Sequence, residues 1–223
     1  MKETATVFIV DDDASVRDAL ARLLAAAGFA VESYERAERF LEDYRPERPG
    51  CLLLDLQMPG MNGLELQATL TERELRLPVI FLTAHGDVPT TVRALKGGAF
   101  DFLEKPAEGW ALLACVHKAL QLDAEWRQKA ADRDVLRARC ATLTAREREV
   151  VPLAVAGRSS KDIARVLGIS HRTVELYRAR IMHKLGANTL VDLAAMAQAC
   201  GIPLSATDAH VALDAERYVT PRT

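Results

Sequence analysis

Short apolar runs alternate with amphipathic stretches over the first 121 residues. The runs are TVFIV (6–10), AVESY (30–34), CLLLD (51–55), PVIFLT (78–83) and AFDFLE (99–104). Each leads into positions spaced for one helical face. The first such set is Val16, Leu20, Leu23, Leu24 and Ala27, closed by Gly28. AERFLEDY follows the second run, and segments 63–75, 88–98 and 108–122 follow the others. The third and fourth runs are apolar on both faces, as strands covered from both sides must be. Five strand–helix repeats predict an α/β domain, a doubly wound five-stranded parallel sheet.

The pattern changes at residue 122. DAEWRQKAADRDVLRARCA has no glycine or proline and mixes charges at helical spacing, so 122–141 reads as a solvated helical linker. Trp126 leaves open a docking role within it. Residues 142–200 are all helical in pattern. Thr144 and Glu147 form a capping box for a helix to about Ala156, ended by Gly157. Ser159-Ser160 open a short helix ended by Gly168, Ser170 caps a third ended by Gly186, and TLVDLAAMAQAC makes a fourth. The 201–223 tail is weakly patterned and is assigned no role.

Charge sharpens this division. The chain carries a net charge of -2, but residues 1–122 hold 13 basic and 19 acidic side chains, whereas 142–199 hold 9 and 5. The front is therefore near -6 and the back near +4, which points the back segment towards an anionic polymer. Cys51, Cys115, Cys140 and Cys200 form no C-x-x-C pair and read as small buried hydrophobes, not metal ligands or disulfides. MKETATVFIV enters a strand too early for a signal peptide, and no apolar run approaches the roughly 18 residues of a membrane span. The expectation is a cytoplasmic protein with no membrane contact.

Candidate chemistry gathers at the carboxyl ends of the predicted strands, where ligands bind in parallel sheets. Strand 1 ends in Asp11-Asp12-Asp13, strand 3 in Asp55, strand 4 in Thr83, and Lys105-Pro106 follow strand 5. Asp13 by itself reads as a helix N-cap. Converging carboxylates need a cation, and oxygen donors with water suit a hard ion such as Mg²⁺.

In that order and spacing, VDDD, LLLDLQMPGMNG, LTAHGD and EKP resemble the receiver domain of bacterial two-component response regulators over residues 1–121. The resemblance implies that Asp55 accepts a phosphoryl group from a sensor histidine kinase. It implies Mg²⁺ (or Mn²⁺) at Asp11, Asp12, Asp55 and the Gln57 backbone carbonyl, and Lys105 on the phosphoryl oxygens. Thr83 becomes the switch hydroxyl and Phe102 its coupled aromatic, with Phe100 on the same strand as the competing choice. Gln57 and His85 stand where the family tunes hydrolysis. The chemistry is coherent by itself: a carboxylate attacks phosphorus only when charge is neutralised and the atoms are held in line.

The three capped helices from Thr144 to Leu185 have helix-turn-helix spacing. On a helical wheel, Val174, Tyr177, Ile181 and Leu185 share a core face of the third. Arg172, Leu176, Ala179 and His183 oppose them, flanked by Thr173, Glu175 and Arg180. Such a face suits the major groove, where arginine reads guanine or phosphate, Glu175 accepts from a cytosine amine and Leu176 touches a thymine methyl. LTAREREVVPLAVAGRSSKDIARVLGISHRTVELYRARIMHKLGA is similar to LuxR/NarL-type DNA-binding domains, with Tyr177 where that family often has histidine. The similarity adds Lys161, Thr173 and Lys184 as backbone contacts. LTAHGDVPTTVRALKGGAFDFLEKP and RTVELYRARIMHKL resemble the FixJ branch of these regulators.

The expectation is a transcriptional regulator, not a classical enzyme, that loses its phosphoryl group slowly without help. Family resemblance implies homodimerisation through helix 4, strand 5 and helix 5, with promoter DNA and RNA polymerase as further partners. A phosphatase of the haloacid-dehalogenase type would need Asp two residues after its nucleophile, and Gln57 stands there. A helical half that binds protein instead of DNA is the other rival.

Overall fold

The computed structural model describes residues 4–84 and 88–204. The chain divides into two compact units, Met1–Gln128 and Lys129–Thr223. In the first, β1 (Thr6–Val10), β2 (Ala30–Tyr34), β3 (Gly50–Asp55), β4 (Val79–Thr83) and β5 (Asp101–Glu104) form one parallel sheet in the order β2-β1-β3-β4-β5. The α/β expectation is met, with β5 starting later than its apolar run. Helices α1 (Ala14–Ala26), α2 (Ala37–Asp43), α3 (Gly63–Glu72), α4 (Val88–Lys96) and α5 (Gly109–Ala141) connect and follow the strands.

Every residue of β1, β3 and β4 is buried. Alternation sends Phe8, Leu52, Leu54 and Phe81 to one face with Phe40, Leu66, Leu70 and Ala94, from α2, α3 and α4. Ile9, Leu53, Ile80 and Leu82 meet Leu24 from α1 and Leu112 and Val116 from α5 on the other. Each such side chain contributes about 1.5–3 kcal/mol of transfer free energy, which explains how the sheet can hold a few charged groups at one end. Asp13 caps α1, accepting from the Ser15 and Val16 amides.

The stretch read as a solvated linker continues α5 without a break. Asp123 is buried, its Oδ2 accepting from the Gly50 amide at 2.9 Å and Arg127 Nε at 2.8 Å. Arg127 also donates to the carbonyls of Pro46, Glu47 and Arg48. A polar, helical stretch gave no sign that one of its acids is an interior anchor.

The second unit packs α6 (Ala145–Val155), α7 (Ser160–Leu167), α8 (His171–Leu185) and α9 (Leu190–Ala199) around Val150, Val151, Ile163, Val174, Ile181, Leu185 and Leu193. The Thr144–Glu147 capping box is present, Ser159 and Ser170 cap α7 and α8, and Gly168 and Gly186 end them in left-handed conformation. The cysteine expectation holds for Cys51 and Cys115, which are buried thiols. It fails for Cys140 and Cys200, which form a disulfide across 60 residues of sequence. Tertiary packing alone brings their Cα atoms to 5.8 Å, inside the range a disulfide spans.

Candidate functional site

Strand order reverses between β1 and β3, and the carboxyl ends of these two strands open a crevice. Asp11 follows β1 and Asp55 ends β3; they are 2% and 6% exposed. Charges so enclosed are costly unless paired, and the pairing group is Lys105. Its Nζ donates to Asp11 Oδ2 at 2.6 Å and Asp55 Oδ1 at 2.7 Å. The Asp13 amide donates to Asp11 Oδ1 and the Gln57 amide to Asp55 Oδ2, both at 3.0 Å. Two carboxylates thus share one ammonium.

The balance of these forces appears in the proton affinities. Burial pushes the Asp55 carboxyl above its ordinary value, and the Lys105 hydrogen bond only partly offsets it. Burial opposes the Lys105 charge, but the Asp11 and Asp55 hydrogen bonds outweigh it and hold the ammonium above its usual value. We take Lys105 as cationic and Asp55 as an anion held at a cost.

Thr83 is buried at the end of β4, and its carbonyl accepts from the Lys105 amide at 2.7 Å. Phe102 pairs in register with Phe81, and the two rings lie 6.3 Å apart on the face that Thr83 shares by alternation. Phe100 packs with the opposite core. Asp12 and Gln57 are exposed beside the acids. His85 lies outside the described residues. Among the described residues no three acidic, histidine or cysteine side chains converge on one point, so the Asp11–Asp55 pair is the centre of the site.

Two supporting residues escaped the sequence reading, and a third was read only as a helix start. Arg17 Nη1 donates to the Asp11 carbonyl at 2.7 Å. Glu38, on α2, accepts from the Met61 amide at 3.0 Å and so ties down the loop after Asp55; its carboxyl is lowered by its own backbone amide and by Met61. Gly63 lets α3 begin against the backbone of Asp55, since a Cβ there would strike the Asp55 carbonyl and crowd Phe81. Arg17 and Glu38 look like ordinary surface charges in a sequence, and only their partners reveal them. Gly63 was legible as a helix start, though not as a close approach. An open cavity of about 840 Å³, lined by Gln57, Met58, Asn62, Thr90 and Arg93 among others, leaves space beside this loop.

In the second unit the wheel is reproduced. Val174, Ile181 and Leu185 are buried and Tyr177 partly so, while Arg172, Glu175, Leu176, Ala179, Arg180 and His183 are exposed. Lys161 on α7 is exposed as well. The Thr173 hydroxyl lies 2.7 Å from that of Ser170 at the start of α8, and Glu175 lies 3.5 Å from His171. Lys184 is differently placed: its Nζ donates to the Thr142 carbonyl at 2.9 Å and to Glu147 Oε2 at 2.6 Å. Glu147 is 2% exposed. Burial acts to raise its carboxyl, but Lys184 and Thr144 lower it further.

Comparison with known proteins assigns both units. Residues 7–117 match the response regulator receiver domain, and residues 141–197 match bacterial regulatory proteins of the luxR family. The chain is 46% identical to the transcriptional regulatory protein TdiR of Thauera aromatica, over 85% of this chain and 83% of that one. It is 44% identical to the transcriptional regulatory protein FixJ of Azorhizobium caulinodans, over 91% and 96%. Among solved structures it resembles the response regulator StyR, with a TM-score of 0.82 and 48% identity over 87% of this chain and 98% of StyR. Full-length FixJ from B. japonicum gives 0.55 and 39% over 91% and 100%.

Proposed function

Because this chain belongs to the two-component response regulators that join a receiver domain to a LuxR-family DNA-binding domain, we propose that phosphorylation of Asp55 by a sensor histidine kinase switches on its binding to promoter DNA. The observation that carries this reading is the enclosed Asp55 carboxylate at a strand end, sharing Lys105 with Asp11. An acid held there at a cost is raised in energy as a nucleophile, and Lys105 is placed to take up phosphoryl oxygens as they arrive.

Receiver domains generally bind Mg²⁺ at this site, and the donor chemistry suits it. Asp11 and Asp55 already lie together on Lys105. The exposed Asp12 carboxylate and the Gln57 carbonyl are the further hard oxygen donors that would have to join them. Mg²⁺ (or Mn²⁺) supplies neutralisation of charge on the transferring group. Glu38 positions the loop that carries Gln57. Glu38→Ala should therefore weaken Mg²⁺ binding about tenfold, as loss of an outer support commonly does. Calorimetric titration of the intact protein checks this, and unchanged affinity would remove Glu38 from the site.

The acyl phosphate adds charge and acceptor oxygens next to Thr83. Thr83 turns towards them, Phe102 follows on the same face, and the surface of α4, β5 and α5 is reshaped to pair two receivers. Val92 and Leu95 are exposed on α4, consistent with a face that finds an apolar partner. Gln57 and His85 set the lifetime of the phosphoryl group, which the protein loses slowly without being a classical enzyme. The paired second units present α8 to two half-sites, and RNA polymerase recruited there activates transcription. A regulator of chromosomal promoters works in the cytoplasm; among the described residues no helix is long and apolar enough to cross a membrane.

On α8 the proposed contacts are Arg172, Thr173, Glu175, Leu176, Ala179 and Arg180, with Lys161 from α7. Lys184 contributes by anchoring the end of α8 and supplying positive charge near the backbone. The domain boundaries carried forward are a receiver to 121, the helical linker 122–141, and DNA-binding helices 142–200. Gel-shift titration with acetyl phosphate and Mg²⁺ tests the whole reading. Binding should tighten on phosphorylation and fall steeply with salt. Arg172→Ala with Lys161→Ala should weaken it at least tenfold, whereas no change would favour a helical unit that binds protein.

A further inference from the structure

The first and last turns of the second unit's framework are joined by sulfur. Cys140 lies in the final turn of α5, Cys200 is the C-cap of α9, and their disulfide encloses α6, α7, α8 and α9 in one covalent loop. Cys140 is buried and Cys200 only partly so, which makes Cys200 the open side of the pair. The turn that carries Cys140 also holds the end of α8. Its neighbour Arg139 donates to the Leu185 carbonyl at 3.0 Å, Lys184 donates to the Thr142 carbonyl at 2.9 Å, and Arg148 donates to the Cys140 carbonyl at 2.8 Å.

The other two cysteines are built differently. Cys51 and Cys115 are 0% and 5% exposed in the receiver core. Burial pushes the Cys115 thiol up to about 12, helped by its hydrogen bond to Asp101, and pushes Cys51 upward likewise. Thiolate is the reactive form, so these two remain inert thiols, whereas Cys200 is the one cysteine that is not fully buried.

We propose that Cys140 and Cys200 form a reversible dithiol–disulfide site, oxidised by a low-molecular-weight disulfide, that sets the stability of the helix-turn-helix unit. The inference rests on the cytoplasmic reading, since in a reducing compartment such a bond is made and broken instead of being permanent. The Cys200 thiolate attacks the small disulfide, forming a mixed disulfide and releasing one small thiolate. The Cys140 thiolate then attacks Cys200 Sγ and expels the second. Two electrons pass to the small disulfide, and the two protons of the protein thiols go to the thiolates released. Closing the loop narrows the unfolded ensemble, and it anchors the turn on which the end of α8 rests.

Equilibrating the full chain in glutathione buffers of graded ratio, with alkylation and peptide mapping, tests the site. Both tryptophans, Trp110 and Trp126, lie in the first unit, so circular dichroism and tryptophan fluorescence separate the two transitions. The expected result is an intramolecular Cys140–Cys200 peptide that forms and disappears with the ratio. Reduction should lower the helical transition of the second unit by at least about 5 °C and leave the fluorescence midpoint in place. Cys200→Ser should abolish the redox dependence; if that variant fails to fold, the wild-type titration decides alone. Cross-links between chains, oxidation at Cys51 or Cys115, a pair that never reduces, or equal midpoints would each overturn the proposal. Cell fractionation locates the chain independently, so a failed site and a failed placement give different results.

Discussion

Asp55→Asn is expected to abolish phosphoryl labelling by acetyl phosphate with Mg²⁺, because an amide oxygen is far too weak a nucleophile to replace a carboxylate. Labelling stoichiometry should fall from a measurable fraction to background, and phosphorylation-driven dimerisation should go with it. Undiminished labelling would sink the assignment. The same substitution carries a second, less obvious outcome. Burial raises the Asp55 carboxyl in the folded state, so the folded protein binds that proton more tightly than the unfolded chain. The associated stability is full below the unfolded value and is lost as pH rises through the folded one. At neutral pH the ionised acid therefore weighs against folding, and an uncharged amide of nearly the same shape relieves it. Asp55→Asn should melt a few degrees higher than wild type at pH 7. The gap should close on acidification, as wild type becomes neutral there too. Lys105 keeps Asp11 as partner throughout. A variant less stable than wild type at pH 7 would contradict the argument.

The other large effect is expected at Glu147. This carboxylate is enclosed at the base of α6, where it caps the Thr144 amide at 2.8 Å and holds Lys184 at 2.6 Å. Glu147→Ala removes the ion-pair partner of Lys184, leaving its ammonium the Thr142 carbonyl, and removes half of the capping box. Breaking such a pair on one side costs about 3–4 kcal/mol, a large share of the roughly 5–15 kcal/mol that holds a domain. The second unit should melt some 15–20 °C lower, seen as early loss of helical signal while the receiver's tryptophan transition stays. The pH dependence runs opposite to that of Asp55. Lys184 and Thr144 depress Glu147 below its ordinary value against the effect of burial, so its contribution is present above the unfolded value. It is lost as pH falls through the folded one. Wild type should show this acid-side loss and Glu147→Ala should not. Replacing both partners with apolar residues, Glu147→Leu with Lys184→Met, should recover part of the deficit. A double variant as unstable as the single would show that Glu147 acts through its cap alone.

These two sites were visible in the sequence to different degrees. Asp55 stood out because an acid at the end of CLLLD conflicts with its surroundings, and Asp11, Thr83 and Lys105 sit at matching ends of other strands. Strand ends are countable along a chain, and parallel topology brings them to one edge. Glu147 was legible as a capping residue, because a cap is a contact three residues long. Its bond to Lys184 spans 37 residues, and the sequence reading had assigned that lysine to the DNA backbone. Phe102 and Phe100 stand two residues apart and would share a face of one regular strand, but β5 begins only at Asp101 and the two rings pack into opposite cores.

The sequence by itself determined the alternation of strands and helices, the helix caps, the acid at the sheet edge and the polar face of α8. Each of these depends on residues near one another along the chain, or on a periodicity that repeats. Tertiary structure alone decided that Asp123 and Arg127 root α5 in the receiver unit, that Glu38 steadies the loop beside Asp55, and that Cys140 meets Cys200. Those pairings join side chains with no periodic or spacing relation. Their partners are chosen by how the apolar faces pack, and a polar residue on a helix does not announce which backbone it will find there.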